Sequence, residues 1–90
     1  MRVVMSAWQG RPGERVSVRV MPTVPSRVAA VRLRVGDELD LNLQRAGDEW
    51  VGEQDVPWDA PAGTYHLSFE AYDATRQAVE RAEETFAVQD

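Results

Sequence analysis

The sequence contains no cysteine, no lysine and no isoleucine, and it has a single histidine. Without cysteine, the chain forms neither a disulfide nor a thiolate zinc site. All ten basic residues are arginine, a bias that is typical of a GC-rich genome. No apolar run approaches the roughly 20 residues that span a bilayer, and the first residues lack the apolar core of a signal peptide. We therefore expect no membrane insertion, and we interpret the chain as a piece of a longer protein.

The charge of the chain is acidic overall and unevenly distributed. A net charge of −5 supplies no general basic surface for phosphate groups, so we expect no nucleic acid partner. Residues 1–36 carry a balance of +6, and residues 37–90 carry −11. One interpretation is head-to-tail contact between neighbouring modules, which high salt would abolish. The other, which we prefer, is that opposite charges meet across strands. It predicts these pairings: Arg32 or Arg34 with Glu70, and Arg15 or Arg19 with Glu53 or Asp55.

Short runs of alternating apolar and polar residues, separated by Gly and Pro turns, make up most of the sequence. Val16, Val18 and Val20, for example, alternate with polar residues, as expected for a strand with one buried face. About seven such strands at regular spacing are typical of an all-β sandwich or small barrel. The length predicts one domain, residues 1–90, with one core. The predicted strands lie near residues 2–7, 15–20, 29–35, 39–43, 50–56, 65–72 and 79–88.

Residues 74–84 fit either a helix or a strand. The segment is rich in helix formers, its apolar residues recur four apart, and Asp73 is a suitable N-cap. The competing interpretation places a turn at 73–77, followed by a strand whose inner face is interrupted by Glu84. We predict the strand, because the strand that contains Tyr65 needs a partner in the sheet, and such context often overrides helix propensity.

The apolar positions of these alternating runs predict the hydrophobic core. Residues of one parity on each strand are expected to face the opposite sheet and to lose contact with water. The predicted core residues are Val16, Val18, Val20, Val31, Leu33, Leu41, Leu43, Trp50, Tyr65, Leu67, Phe69, Phe86 and Val88.

The order of several short motifs resembles bacterial immunoglobulin-like modules over residues 31–90. A tryptophan strand at 48–52 is followed by the Val-Pro pair at 56–57, the Pro-Ala-Gly-Thr-Tyr turn at 61–65, the Ala-Tyr-Asp end of a strand and a closing Thr-Phe-Ala-Val strand at 85–88. The resemblance implies an immunoglobulin-like antiparallel β-sandwich of about seven strands. It also implies a non-catalytic module of a secreted or cell-surface protein, extracellular and flanked by other domains of a longer chain.

One part of this resemblance concerns Tyr65. The Gly63-Thr64-Tyr65 sequence, with Leu67 two residues on, is similar to the tyrosine corner, in which the tyrosine hydroxyl bonds back to the backbone. Leu67 stands where antibody domains have their second cysteine. The strand at 28–35 has no tryptophan. These differences indicate a sandwich outside the true antibody-type domains.

The sequence offers little catalytic chemistry, and we expect no enzyme, no catalytic residues and no cofactor. His66 falls on the outward face of a predicted strand, and Glu83-Glu84 is the only adjacent acidic pair near the C-terminus. No serine lies in a nucleophile elbow, and no Gly-rich phosphate loop precedes a helix. We predict no metal site, although a weak calcium site stays open among carboxylates and an amide near one strand. Those residues are Asp37, Glu38, Asp40, Asn42 and Asp48.

Three tryptophans in so short a chain suggest a binding surface. Trp50 shares strand parity with Val56 and is expected in the core, whereas Trp58, in a loop beside Pro57, is expected to be more exposed. Trp8 precedes a turn and fits either environment. For the three tryptophans together we favour packing over stacking on sugars. We predict a spacer or protein-contact module of a larger bacterial surface protein. The alternative is a carbohydrate-binding module in which Trp8, Trp58 and Tyr72 contact polysaccharide. A third possibility is a small intracellular protein or enzyme accessory subunit.

Overall fold

The computed structural model describes residues 1–37 and 39–90 and arranges them as two β-sheets packed face to face. One sheet has the strand order β1-β3-β7-β6, and the other has the order β2-β9-β8-β4-β5. A single 3-10 turn, Pro25–Arg27, precedes β4. No helix in the described part of the chain is long and apolar enough to cross a membrane. The strands are β1 Arg2–Met5, β2 Gln9–Gly10, β3 Arg15–Met21, β4 Ala30–Val35, β5 Leu39–Asn42, β6 Gln44–Ala46, β7 Glu49–Asp55, β8 Gly63–Tyr72 and β9 Ala78–Val88.

The prediction of an all-β, immunoglobulin-like sandwich is confirmed, with nine strand segments in the described residues rather than about seven. The number rises because two short strands, β2 and β6, were not predicted. Each follows a predicted strand, near 2–7 and 39–43 respectively, and joins the sheet opposite to that of β1 or β5. The short β2 runs parallel to β9, pairing Gln9 with Ala87, so the sandwich is not entirely antiparallel.

Residues 78–88 form a strand, as predicted, and the helical alternative for this segment is wrong. Strand β9 pairs with β8 from Gly63↔Val88 to Tyr72↔Ala78. This ladder buries Phe86 and Val88 against the opposite sheet, a gain in burial that outweighs the helix propensity of the segment. Between β8 and β9, residues 73–77 form the predicted turn, closed by a hydrogen bond from the Asp73 amide to the Gln77 carbonyl at 2.9 Å.

The core lies between the sheets and is centred on Phe69, Val20 and Val31, which are almost fully buried. Most of the predicted core is confirmed, but three of its members are only half-buried, which corrects the prediction: Val16, Leu41 and Tyr65. Three further buried apolar residues extend the predicted core: Val28, Val56 and Ala71. Val56 and Ala71 continue the alternation of Trp50 and Phe69, whereas Val28 precedes β4, where alternation no longer indicates which side chains point inward.

Opposite charges do meet across strands, partly in the expected pairs. The Arg15 guanidinium lies 3.2 Å from Glu53 and 3.0 Å from Asp55, as predicted. Arg32 and Arg34 both bind Asp40 on β5, each at 3.2 Å, rather than Glu70. Asp40 stands directly opposite Arg34 in the β4–β5 register, within reach of both arginines. Arg19, also expected to face the β7 acids, lies 3.5 Å from Glu49.

Three carboxylates in residues 1–37 and 39–90 have a pKa that lies below the ordinary value. The Asp73 pKa is lowered by hydrogen bonds from the Thr75 hydroxyl and the Gln77 amide. The Asp40 pKa is lowered by hydrogen bonds from Arg32 and then Arg34. The pKa values of the corresponding unfolded-state carboxyls are higher, so these groups add stability above about pH 4 and lose it as the pH falls through their folded-state values.

Glu80 is the third such carboxylate. The Met1 ammonium lowers its pKa most, and the Thr23 hydroxyl lowers it further; these donors lie 2.7 Å and 2.8 Å from the carboxylate.

Because the pKa values of all three carboxylates are lowered in the folded state, we expect the melting temperature to fall steadily from about pH 5 to pH 2. Asp73→Asn should flatten this pH dependence, whereas the exposed and uncharged substitution Gln44→Asn should leave it unchanged. Equal slopes for the two variants, measured by circular dichroism, would contradict the assignment.

Candidate functional site

The two sheets separate at one end of the sandwich and leave a cavity of about 500 Å³ that opens to solvent. This end, called the cavity end below, is where β3 and β8 begin and where β4, β7 and β9 finish. The innermost wall of the cavity is formed by core residues of both sheets, including Val18, Leu33 and Leu67. The cavity therefore extends from the solvent into the space between the two sheets, as far as the hydrophobic core.

The change of sheet between β5 and β6 explains why the sandwich is open here. Strand β6 pairs only with residues 49–51 of β7, while β5 belongs to the opposite sheet. Within the described residues, the outer edge of β7 at 52–55 therefore has no neighbouring strand. Leu43, at the point of crossing, donates its amide to the Val31 carbonyl at 2.9 Å. The gap between the edges of β5 and β7 forms one side of the cavity.

The three predicted core residues that remain half-buried all line this cavity. Val16 comes from β3, Leu41 from β5 and Tyr65 from β8, so they reach the cavity from both sheets. Their alternation predicts an inward orientation correctly. It does not reveal that the opposite sheet is too distant to cover them, because that distance depends on where a neighbouring strand changes sheet.

The rim of the cavity carries exposed carboxylates from three parts of the chain. Asp37 follows β4, Glu53 and Asp55 lie on β7, and Asp59 belongs to the loop before β8. Arg15 pairs with both β7 carboxylates. Since this ion pair is solvent-exposed, its contribution to stability is small. The rim keeps a net negative charge, whereas the interior is apolar.

The loop of residues 56–62 forms one lip of the cavity and is held by Tyr65. The Tyr65 hydroxyl donates a hydrogen bond to the Pro61 carbonyl at 2.6 Å, which confirms the predicted tyrosine corner. At the other end of the loop, the Val56 amide donates to the Glu14 carbonyl at 2.8 Å. Both ends of the loop are therefore anchored, one to β8 and the other to the start of β3.

Removal of the Tyr65 hydroxyl tests this anchor. We expect Tyr65→Phe to lower the free energy of unfolding by about 0.5–1.5 kcal/mol, because the ring stays while one hydrogen bond is lost. Denaturant unfolding at neutral pH measures the change. Tyr72→Phe is a matched control, since the Tyr72 hydroxyl makes no hydrogen bond within the described residues. An equal loss in both variants would argue against the anchor.

Trp58 projects from the same loop and is 84% exposed. One edge of its ring lies against the backbone of Gly13, where an added Cβ would stand 2.6 Å from a ring carbon. Gly13 has a φ of +89°, a conformation that other residues adopt with strain. The backbone angle therefore favours glycine at position 13, and a Cβ there would displace the indole.

Two of the three aromatic residues predicted as a ligand-binding set lie at the same end of the sandwich. Trp8, 42% exposed, precedes β2 at the cavity end, the end at which Trp58 also lies. Tyr72 is the last residue of β8 and pairs with Ala30. The length of β8, at about 3.3 Å per residue, places Tyr72 roughly 30 Å from the Trp58 loop. The three side chains do not share one surface.

The other polar residues considered for catalysis or metal binding do not come together in one site. His66 is exposed and lies 3.6 Å from Glu83, while Glu84 is on the opposite face of β9. Asp37 is at the cavity end, whereas Asp48 follows β6 at the far end. Among residues 1–37 and 39–90, no group of three or more acidic or histidine side chains could hold a metal ion. Glu38, also named for calcium, lies outside the described residues.

Comparison with known proteins supports the fold alone. No protein-family model matches the sequence, and no curated protein matches it. Among solved structures, a Niemann-Pick type C2 protein from the Japanese carpenter ant is similar, with a TM-score of 0.60 and 10% identity. The match covers 99% of this chain and 90% of that chain. The shared feature is the immunoglobulin-like β-sandwich.

A second solved structure has this fold in part of its length. It is the endo-β-1,4-mannanase from Thermotoga petrophila, with a TM-score of 0.61 and 12% identity. The match again covers 99% of this chain, but only 20% of that chain. The present sequence therefore matches one segment of the mannanase and most of the Niemann-Pick type C2 protein.

Proposed function

We propose that the chain is a non-catalytic, immunoglobulin-like module of a larger bacterial surface or secreted protein, where it acts as a spacer or protein-contact domain. The motif order near 48–88 supports this proposal, as does the mannanase chain, in which the same fold occupies a fifth of the length. Its partners would be neighbouring domains or another protein.

The main support for the spacer role is the position of the two chain ends. Met1 lies beside Glu80 near the start of β9, and the Gln89 amide bonds to Gly10 just beyond its end. Strand β9 contains eleven residues, so at about 3.3 Å per residue it separates the two ends by roughly 33 Å. The longest dimension of the domain is 40 Å. A chain that enters at one end and leaves at the other extends the protein by nearly its full length.

A tandem of two copies, Asp90 joined directly to Met1 of the next copy, tests the spacer role. X-ray scattering should give a longest dimension of roughly twice the 40 Å of one domain. A tandem joined through a long Gly/Ser linker is the control and should give a broad distribution of distances. A directly joined tandem that folds back to a compact particle would contradict the spacer role.

Polysaccharide binding through Trp58 is the second candidate, because an indole that is 84% exposed and braced by Gly13 offers a rigid apolar face. Trp8 would extend the surface. The test is a titration with soluble cell-wall and plant polysaccharide fragments, followed through the indole N–H signals by NMR. Binding should shift the Trp58 signal and disappear in Trp58→Ala.

The glycines supply a matched pair of variants for the same titration. Gly13→Ala should weaken binding because a Cβ there displaces the indole, whereas Gly47→Ala has a similar positive φ and no neighbour within 4 Å. The two substitutions therefore share the backbone strain and differ in the contact with Trp58. Indole signals that do not move with any fragment would exclude the second candidate and leave the spacer role unaffected.

A further inference from the structure

We propose that the cavity between the sheets binds a small, elongated apolar molecule that carries a cationic head group. The proposal rests on the cavity and its rim, and it is independent of the spacer role. The bound molecule would place its apolar part between the sheets and its positive charge at the rim.

The size and lining of the cavity favour a small apolar molecule. A volume of about 500 Å³ lies within the range of small-molecule sites, roughly 300–1,000 Å³. The walls include Val16, Leu41 and Tyr65, which are half-buried, and the interior ends on Val18 and Leu33, which are buried. A ligand that filled this space would remove apolar surface of both partners from water, which is the main source of affinity in such sites.

The rim determines the charge of the ligand. Asp37, Glu53, Asp55 and Asp59 all line the opening, and Arg15 neutralises only part of their charge. A carboxylate head group would meet like charges at short distance, whereas an ammonium group would be attracted by them. Because the rim is exposed, this preference should weaken as salt is added, while the apolar contribution should not.

The test uses three probes with the same twelve-carbon chain: dodecylammonium, dodecanol and dodecanoate, each below its micelle concentration. Isothermal titration calorimetry at two temperatures measures their affinities and heat-capacity changes. We expect the ammonium to bind at least tenfold more tightly than the carboxylate, the alcohol to lie between them, and binding to have a negative heat-capacity change. Absence of binding by all three, equal binding, or a preference for the carboxylate would overturn the proposal.

Charge reversal at the rim tests the head-group preference without disturbing the core. In the double variant Asp37→Lys/Asp59→Lys, the carboxylate should bind more tightly than the ammonium. The matched control, Asp48→Lys/Asp90→Lys, changes the net charge equally and leaves the rim intact, so its preference should stay that of the unaltered chain. A similar effect in both double variants would mean that net charge, rather than the rim, selects the ligand, which would overturn the rim assignment.

A larger side chain inside the cavity tests the location of the apolar part. Val16→Phe adds volume to a residue that lines the cavity, and we expect it to weaken binding of dodecylammonium at least tenfold. Val51→Phe is the control, since Val51 is also half-buried in the same sheet but lies outside the cavity. Unchanged binding in a folded Val16→Phe variant would overturn the proposal. If that variant does not fold, the rim variants still decide it.

Discussion

Phe69→Ala is expected to lower the free energy of unfolding by about 3–5 kcal/mol, the usual cost of a large aromatic truncation in a core. Phe69 is completely buried and lies between Leu33 and Ala82 across the two neighbouring strands. The loss is a large part of the roughly 5–15 kcal/mol that stabilises a typical domain. In denaturant unfolding, the midpoint should shift strongly to lower concentration, and the melting temperature should drop by more than about 10 °C.

Trp58→Ala is the matched control, because it removes an aromatic side chain that is even larger but 84% exposed. Its cost should be within about 1 kcal/mol, since little apolar surface returns to water when the ring is removed. Comparable losses for Trp58→Ala and Phe69→Ala would show that the assignment of Phe69 to the centre of the core is wrong.

Gly52→Ala is expected to lower the free energy of unfolding by about 1–3 kcal/mol, because the added methyl group overpacks the contact with Leu43, where the chain crosses between the sheets. A Cβ at position 52 would stand 2.7 Å from the Leu43 Cδ2 atom and 3.7 Å from Val18. Leu43 is buried, with 5% of its surface exposed, so it has little freedom to move away. Unfolding by denaturant, with the slope checked for two-state behaviour, measures the loss.

A double-mutant cycle separates this contact from a general intolerance of side chains at position 52. Leu43→Ala alone should cost about 2–5 kcal/mol because it leaves a cavity. In Gly52→Ala/Leu43→Ala, the new methyl group occupies part of that cavity, so the combined loss should be smaller than the sum of the two single losses by about 1 kcal/mol or more. Strict additivity would contradict the packing of Leu43 against Gly52.

Local patterns in the sequence were sufficient to predict the strands, their buried faces and one anchored loop. The alternation from Tyr65 to Ala71 assigns Leu67 and Phe69 to the core correctly, because the side chains of a strand alternate strictly between two faces. The tyrosine corner was predictable for a similar reason: its hydroxyl binds a carbonyl only four residues away, so the interaction is contained in a short motif.

The cavity could not be predicted, because it depends on relations between distant strands. Whether Val16 or Leu41 is covered depends on the edges of β5 and β7, which are set by the crossing at Leu43 rather than by either residue's neighbours in sequence. The parallel pair β2–β9 and the choice of Asp40 as the partner of Arg32 and Arg34 depend on strand register in the same way. Alternation determines a face, but it leaves the partner strand undetermined.

The aromatic residues and the acidic residues show what sequence alternation can and cannot predict. A loop position beside a proline indicated that Trp58 would be exposed, whereas strand parity placed Trp50 in the core, and both expectations agree with the structure. The predicted strand at 65–72 puts Tyr72 and Trp58 at opposite ends, so a binding surface that includes both disagrees with the length of that strand. The acidic rim could not be predicted, because Asp37, Asp59 and the β7 acids become neighbours only when the sheets assemble.

The parallel pairing of β2 with β9 has a mechanical consequence. Tension applied between the two chain ends pulls the segment that contains β2 towards the Met1 end and pulls β9 in the opposite direction. The hydrogen bonds from Ala87 to Trp8 and from Gln89 to Gly10 then bear the load together, in shear, instead of breaking one after another. The long ladder between β8 and β9 holds the same strand on its other side. Part of the resistance to force therefore lies at the cavity end, where β2 and β9 are joined.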